Sequence, residues 1–565
     1  MSEALREIEG RLTGPGGPFE VVREPVFGEP MSVFRTRPRS LRALLETSRA
    51  LGDAEYLVCD DGRRIGYAEH CQRVASVARA LRERFGVGAG DRVAILAANA
   101  PEWILAFWAT TSLGAIAVGL NGWWVRDEIL YGLRDCEPKL LIGDRRRLAR
   151  VAGERHAFPV VEMESEFAAL AEPDAAASLP DVSIDEDAPA TILYTSGTTG
   201  RPKGAVNTHR GIVALTQIQI FHGARMLMLA AARAAEAGVA AAPAARPLRT
   251  CSLVTTPLFH VSGLYAGAVT SLATGIKTVW TTGRFDPARV MDLIERERVT
   301  AWGPMGTMVH RLLDHPEIAR RDLSSIQQIG SGGAPMPPAL LERMRRAFPN
   351  ARRSMGIGYG LTESTALATL NFGEELEARP DSVGRALPTI EVEIRDPDGK
   401  PLPEGEEGEI ALRGPLVMKE YWRRPRETAE VLGPGRWLRT GDIGRLEDGY
   451  LYVNSRRRDL ILRGGENVYP AEIEHCLEAH PGVREAAVVP VDHPELGQEV
   501  KAIVVPADGA AIDFEALRGF VAERLAYFKV PAHWELRREP LPRNATGKVL
   551  KNVLTAGAVN PFVDE

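Results

Sequence analysis

Two rhythms of apolar residues alternate along this chain. Spacings of three and four, the period of an α-helix face, occur at Leu41, Leu44 and Leu45 and again at Val74, Val77, Ala78 and Leu81. Short, nearly unbroken apolar runs, the mark of buried strands, occur at Arg92–Leu96, Ala188–Tyr194, Ser252–Thr256 and Tyr450–Val453. Helices alternating with such strands predict an α/β fold around a parallel sheet. Asn99–Trp103 opens a helix, with Asn99 or a neighbour as its cap and Pro101 in its first turn, and the run Gly114–Asn121 returns the chain to a strand. Toward the end the pattern shortens to helix Ala471–His480, strands Ala486–Val491 and Ala502–Val505, helix Phe514–Leu525 and strand His533–Leu536, a small α+β unit. The opening segment, with Gly and Pro clustered at Gly14–Pro18, predicts a surface arm without chemistry. Ala230–Ala245 is Ala-rich with high helix propensity, either a solvent-facing insertion or a cover over apolar surface.

Composition narrows the class. At 565 residues the chain exceeds one compact domain, and 45% hydrophobic with 25% charged residues is ordinary for a globular protein. Its 69 basic and 75 acidic residues leave a net charge of −6, so no overall cationic field points to nucleic acid. The five cysteines, Cys59, Cys71, Cys136, Cys251 and Cys476, lie far apart without metal-ligand spacing and read as structural thiols of a reducing compartment. The N-terminus lacks the apolar core of a secretion signal, and Arg225, Arg233, Glu236 and Pro243 interrupt the apolar tract 224–245 before it reaches membrane-spanning length. A cytoplasmic location is expected.

The strongest candidate for chemistry is Tyr194–Gly204, YTSGTTGRPKG. Its glycines free the backbone to curl, the hydroxyls of Thr195, Ser196, Thr198 and Thr199 can donate to anionic oxygens, and Arg201 and Lys203 add positive charge. It therefore suits a polyphosphate, the alternative being a surface loop of turn formers. It is not the common P-loop. Counting from Gly197, Lys203 sits at the Lys position, but Pro202 replaces the second Gly and Gly204 the Ser/Thr that would hold magnesium. The string resembles the signature loop of the AMP-forming adenylate-forming superfamily, which includes acyl-CoA synthetases, luciferases and peptide-synthetase adenylation domains.

Further strings follow in that family's order. Pro257–Gly263, PLFHVSG, resembles a motif at the mouth of the acyl pocket. It makes Phe259, His260 and Val261 pocket candidates, although a lone His after an apolar run is more often a core histidine. Amino-acid-activating members place an Asp beside this Phe to pair the substrate ammonium, and His260 stands there instead, which favours a plain carboxylic acid. Val299–Met308 corresponds to a wall that usually ends Val-Pro-Thr, and Met305-Gly306-Thr307 departs from it, with the expectation of a wider or looser wall. Ile326–Pro335 ends in a glycine turn where a flat ring could lie on bare backbone. The resemblance makes Gly332, Gly333 and Ala334 the adenine segment, against a plain structural turn.

Gly356–Ser364, GIGYGLTES, adds Ile357 as a pocket residue and Gly358 and Gly360 as close-approach glycines. There Tyr359 can stack on adenine, Thr362 can donate to the α-phosphate, and Glu363 can hold Mg²⁺ together with Thr195. Asp442 in Arg439–Asp442 matches the ribose ligand, joined by Arg456. Ser455–Pro470 resembles the interdomain hinge, with Arg458 as pivot and Gly464-Gly465 on the coenzyme A face, although the family usually begins this motif with Gly rather than Ser455. Pro542–Lys548 resembles the final motif. Lys548 is then a mobile charge bridging the substrate carboxylate and the α-phosphate.

The resemblance implies a large layered α/β N-terminal domain, 1–455, and a small mobile α+β C-terminal lid, 456–565, hinged at 456–459. It implies an ATP-dependent carboxylic acid:CoA ligase using Mg²⁺. A carboxylate attacks the α-phosphorus of ATP, the Thr195–Gly204 loop with Gly200 and Lys203 holds the departing pyrophosphate, and the lid then swings to make the thioester. Met305 and Gly332 join the apolar pocket, which fits a fatty, alicyclic or aryl acid equally well. Coenzyme A is expected over a carrier protein because no carrier domain follows Glu565. The alternatives are an acyl-AMP ligase serving a carrier in trans, luciferase-like oxidation, and a silent adenylate-binding regulator, against which Glu363, Asp442 and Lys548 argue. The oligomeric state, homodimer included, stays open.

Overall fold

A computed structural model describes residues 3–195, 202–236, 250–332, 336, 338–456, 459–463, 466–493, 496–525, 527–544 and 547–556. Helix Pro101–Ser112 explains the layering of the large domain. It is apolar on every side, and Trp103, Phe107 and Trp108 are fully buried, so it must be covered all round. Two sheets supply the cover. The first has seven strands. Pro189–Thr195, Ile116–Gly119, Arg92–Leu96, Leu140–Gly143 and Val160–Glu162 run parallel, and Lys203–Thr208 and Glu420–Tyr421 add antiparallel to one edge. The second has nine strands, with a parallel centre running from Met355–Tyr359 through Gln328–Gly332, Ala301–Trp302, Cys251–Val254 and Lys277–Trp280 to Glu55–Cys59. Val93 and Ile95 of the first sheet and Tyr56, Leu57 and Trp280 of the second belong to one core with that helix. A third, four-stranded sheet is antiparallel throughout, joining Glu391–Arg395, Gly408–Arg413, Leu438–Glu447 and Tyr450–Arg456.

The small domain is α+β, as expected. Strands Val483–His493 and Gly497–Pro506 form its centre, with His533–Leu536 parallel to the latter, and helices Pro470–Glu478 and Phe514–Ala522 contribute Ile473, Leu477, Leu517 and Val521 to a separate core. Tyr469 joins it to the large domain by donating its hydroxyl to Glu407 Oε2 at 2.5 Å.

The structure refines three local expectations. The cap of helix Pro101–Ser112 is the neighbour Ala100, without a side-chain bond, and not Asn99. The Asn99 amide instead bridges two backbone groups of another loop, donating to the Thr256 carbonyl at 3.0 Å and accepting from the Leu258 amide at 2.9 Å. The opening segment is not a bare arm. Helix Glu3–Thr13 buries Leu5, Ile8 and Leu12 against Phe221 and Leu229, and a hairpin pairs Val21–Val26 with Glu29–Phe34. The helix it covers is the third surprise. His209–Glu236 is one 28-residue helix that absorbs the start of the Ala-rich insert, while 237–249 lie outside the described residues. It is the one described helix long and apolar enough to cross a membrane, and half of its most apolar window is buried inside the fold.

Candidate active site

The carboxyl ends of the parallel strands in the nine-stranded sheet, the hairpin Pro189–Thr208, the four-stranded sheet and the small domain meet around one cleft of about 1270 Å³. Thr195, Lys203, Thr362, Glu363 and Lys548 line it on one side. Gly332, Gly358 and Gly360 form its floor at strand ends, and His260, Val261 and Met305 line a further wall. Phe259, Ile357, Tyr359 and Asp442 are buried beside lining neighbours. Ser196, Gly197, Thr198, Thr199, Gly200, Gly333, Ala334, Arg458, Gly464 and Gly465 lie outside the described residues. Arg456 pairs through its backbone with Asp442 at the end of the four-stranded sheet.

Tyr194–Gly204 closes a hairpin and does not enter a helix. Thr195 faces Lys203 and Tyr194 faces Gly204 across an antiparallel pair. A P-loop hands its phosphate to a helix N-terminus; this loop hands the chain to a second strand. The base of the hairpin is strapped down. Tyr131 donates to the Pro202 carbonyl at 2.9 Å, and Tyr194 donates to Asp135 Oδ2 at 2.9 Å. Lys203 is buried, with its ammonium 5.1 Å from the ring centre of Tyr421, and the Tyr421 hydroxyl donates to Glu363 Oε1 at 2.7 Å. One aromatic ring thus positions a cation and an anion of the cleft together.

Glu363 sits in a single 3₁₀ turn, Thr362–Ser364, followed by Thr365 and Ala366 at φ of 51° and 87°. Two consecutive non-glycine residues in this region cost about 1–3 kcal/mol each and persist only under external constraint. Asn207 supplies it from the hairpin, donating to the Thr362 carbonyl at 3.0 Å and to Thr365 Oγ1 at 2.8 Å. The turn presses on the strand end before it: a Cβ at Gly360 would lie 2.2 Å from the Ala366 carbonyl oxygen, so only glycine fits.

Tyr359 and Asp442 meet directly, the phenol donating to Asp442 Oδ2 at 2.7 Å. Nearby, Glu409 accepts from Arg439 at 2.7 Å and from the Gly441 amide at 3.1 Å, which fixes the turn before Asp442. Lys548 closes a tight turn of the small domain. Its amide donates to Asn544 Oδ1 at 2.9 Å, its carbonyl accepts from the Asn544 amide, and Gly547 takes a φ of 77°.

The apolar wall is different in kind. His260 finds no partner for its Nε2 among the described residues, and burial holds its pKa down at about 4, so the ring is neutral. Its neighbour Phe259 packs edge-on to Trp123 with centroids 6.4 Å apart. Gly306 does not loosen the wall beside Met305, because it opens the ordered helix Gly306–Leu313. The five cysteines are free and none lines the cleft; burial pushes the thiols of Cys59 and Cys136 up to about 12, which makes them inert.

The residue pattern of the AMP-binding enzyme family matches positions 44–422, and that of its C-terminal domain matches 472–548. The chain belongs to the AMP-binding enzyme family. It is 36% identical to a feruloyl-CoA synthase of Amycolatopsis sp over 87% of its own length and 93% of that protein. It is 35% identical to a long-chain-fatty-acid–CoA ligase of Mycobacterium tuberculosis, over 85% of this chain and 90% of that one. Among solved structures, ATP-bound MatB from Rhodopseudomonas palustris superposes with a TM-score of 0.78 at 30% identity, covering 92% of this chain and 98% of the other. The activity is that of the family's acid–CoA ligases: formation of an acyl-CoA through an acyl-adenylate, with ATP and coenzyme A as co-substrates.

Sequence reasoning missed Tyr421, Asn207 and the Arg439–Glu409 pair. Asn207 carried a readable signal, a carboxamide set between the apolar pair Ala205–Val206 and the apolar run 212–215. Tyr421 carried none, because its strand of two residues is too short for periodicity.

Proposed function

We propose that this chain activates an uncharged-tail carboxylic acid, with its own residues in the following roles. The hairpin loop Thr195–Gly204 and Lys203 hold the β- and γ-phosphates of ATP, the group that leaves. Adenine lies between the Tyr359 ring and the segment Gly332–Ala334, with Gly358 and Gly360 letting the nucleotide approach bare backbone. Asp442, with Arg456, takes the ribose hydroxyls. Its bond from Tyr359 orients one oxygen, so adenine and ribose sites are set by one contact. Thr362 donates to the α-phosphate. Lys548 spans the incoming carboxylate and the α-phosphate as negative charge develops, which stabilises the transition state more than the ground state. The acid lies against Phe259, His260, Val261, Met305, Gly332 and Ile357.

The donor set fits Mg²⁺. Glu363 is a single carboxylate with one oxygen already engaged by Tyr421, and no cluster of three acidic or imidazole groups exists among the described residues. Mg²⁺ favours such sparse protein ligation, completed by phosphates and water. Glu363 and the Thr195 hydroxyl would hold it, where it would neutralise phosphate charge. After adenylation, we place the lid's pivot at Arg458, within a hinge 456–459 that separates domain 1–455 from domain 456–565, and the thiol entrance at Gly464-Gly465. The free cysteines fit a reducing cytoplasm.

The observation that carries this reading is one cleft holding Lys203, Thr362 and Glu363 of the large domain beside Lys548 of the small one. The test is pyrophosphate release over straight-chain, alicyclic, aryl and amino acids, with and without coenzyme A. The expected result is release dependent on a plain acid and acyl-CoA formed when the thiol is present. Preference for amino acids, or equal turnover with no thiol acceptor, would overturn it.

A further inference from the structure

The cleft runs on past the apolar wall to the underside of the long helix His209–Glu236, where Leu215, Gln219 and His222 line it. Spaced by four and three, they form one stripe of the helix. Leu215 is the expected apolar residue. Gln219 and His222 are not: both are half-buried along the cleft, and neither the Gln219 amide nor the His222 Nε2 is hydrogen-bonded among the described residues.

The other face of the His222 ring is committed. Its Nδ1 lies 2.7 Å from the Arg225 guanidinium. A guanidinium offers donors only, so Nδ1 must accept and the ring proton must reside on Nε2. Arg225 is itself buried and ion-paired to Glu9 of the N-terminal helix. Phe372 packs edge-on to the imidazole with centroids 4.7 Å apart. Burial, followed by the Arg225 charge, pushes the His222 pKa down to about 3, so the ring is a neutral donor throughout the working range. Glu9 precedes residue 44, where the match to the family pattern begins, so part of the support for this ring comes from outside the matched segment.

We propose that His222 Nε2–H, assisted by the Gln219 amide, is a recognition subsite for an oxygen acceptor (hydroxyl, ether or carbonyl) on the part of the acid remote from its carboxylate. Arg225 and Glu9 act as positioning residues that fix the tautomer and hold the ring. The inference rests on the ligase reading, with the acid bound in this cleft. A site built around an unpartnered donor discriminates against an analogue that lacks the acceptor, because that analogue leaves the donor buried and unpaired.

The test compares matched acids: decanoate with 10-hydroxydecanoate, 3-phenylpropanoate with 3-(4-hydroxyphenyl)propanoate, and cyclohexanecarboxylate with 4-oxocyclohexanecarboxylate. Pyrophosphate release gives the ratio of kcat/KM within each pair, and calorimetric titration gives the ratio of affinities independently of turnover. The oxygenated member of at least one pair should be favoured about tenfold. His222→Leu should bring that ratio to about one, while His222→Gln, which can accept from Arg225 and still donate, should keep most of it. Glu9→Gln should erode it partway. Equal treatment of both members in all three pairs, or a preference that survives His222→Leu, overturns the subsite. Absence of acid-dependent pyrophosphate release overturns the ligase reading instead, and the titrations still decide whether His222 discriminates.

Discussion

The two ends of the cleft handle polarity in opposite ways. At the nucleotide end, charged and phenolic groups engage one another. Lys203 faces Tyr421, Tyr421 holds Glu363, Tyr359 holds Asp442, and Arg439 holds Glu409. At the acid end, the imidazoles of His260 and His222 are neutral and each leaves a ring nitrogen unpartnered among the described residues. Preorganised charge suits a ligand whose shape never changes, because the cost of orienting dipoles is met during folding. Neutral, singly committed groups in an apolar wall suit a region where the ligand supplies the remaining hydrogen bond. Fixed chemistry and variable recognition are thus built from different kinds of residue within one cavity.

The sharpest division concerns Lys548, which the small domain delivers to the cleft. Lys548→Ala should lower acyl-adenylate formation by on the order of 100-fold or more. Thioester formation from supplied acyl-adenylate should be spared, and single-turnover assays of the two half-reactions read this directly. Equal loss in both steps would remove Lys548 from the first-step chemistry and make it a general lid contact.

Asn207 tests whether the two ends are independent. Its amide holds the strained turn that carries Glu363, and among the described residues no other side chain bonds both Thr362 and Thr365. Asn207→Ala should raise the KM for ATP about tenfold and leave the ranking of acids unaltered, since the two hydrogen bonds lost hold the turn that carries Glu363 and not a residue of the acyl wall. A change in acid ranking would show that the nucleotide end also shapes acid choice.

How much of this was legible in the sequence follows the same division. The strand Arg92–Leu96, the glycine-rich hairpin loop, the GYGLTES turn and Lys548 each depend on local order, so their strings reveal them. What escaped depended on contacts distant in sequence. Asn207 reaches the Thr362–Thr365 turn, Tyr421 reaches Glu363, and Arg225 on the long helix reaches Glu9 at the N-terminus. The N-terminal helix was readable and was masked by Gly14–Pro18 beside it, for Leu5, Ile8 and Leu12 already carry a helical spacing. The antiparallel four-stranded sheet was hidden differently: its connection 414–437 carries strand Glu420–Tyr421 and helix Pro425–Val431, so the chain there still alternates strand and helix as parallel layers do.

The smallest effect concerns protons. His260 and His222 have folded pKa values of about 4 and about 3, against about 6.5 when unfolded. The unfolded chain therefore binds more protons below about pH 6.5, and stability must fall as pH drops through that value toward the folded ones. Above it the contribution of each neutral ring is fully present. Between about pH 7.5 and pH 6 the loss should be about 0.8 kcal/mol for each ring, read from urea midpoints, and replacement of either ring by Leu should flatten the slope by that amount. Catalysis should show the complement: the preference between matched acids stays constant from about pH 6 to pH 9, because neither ring changes charge there. An inflection in that preference near pH 6.5 would mean that an imidazolium forms at the acid end, and the contrast between a charged nucleotide end and a neutral acid end would then fail at its neutral side.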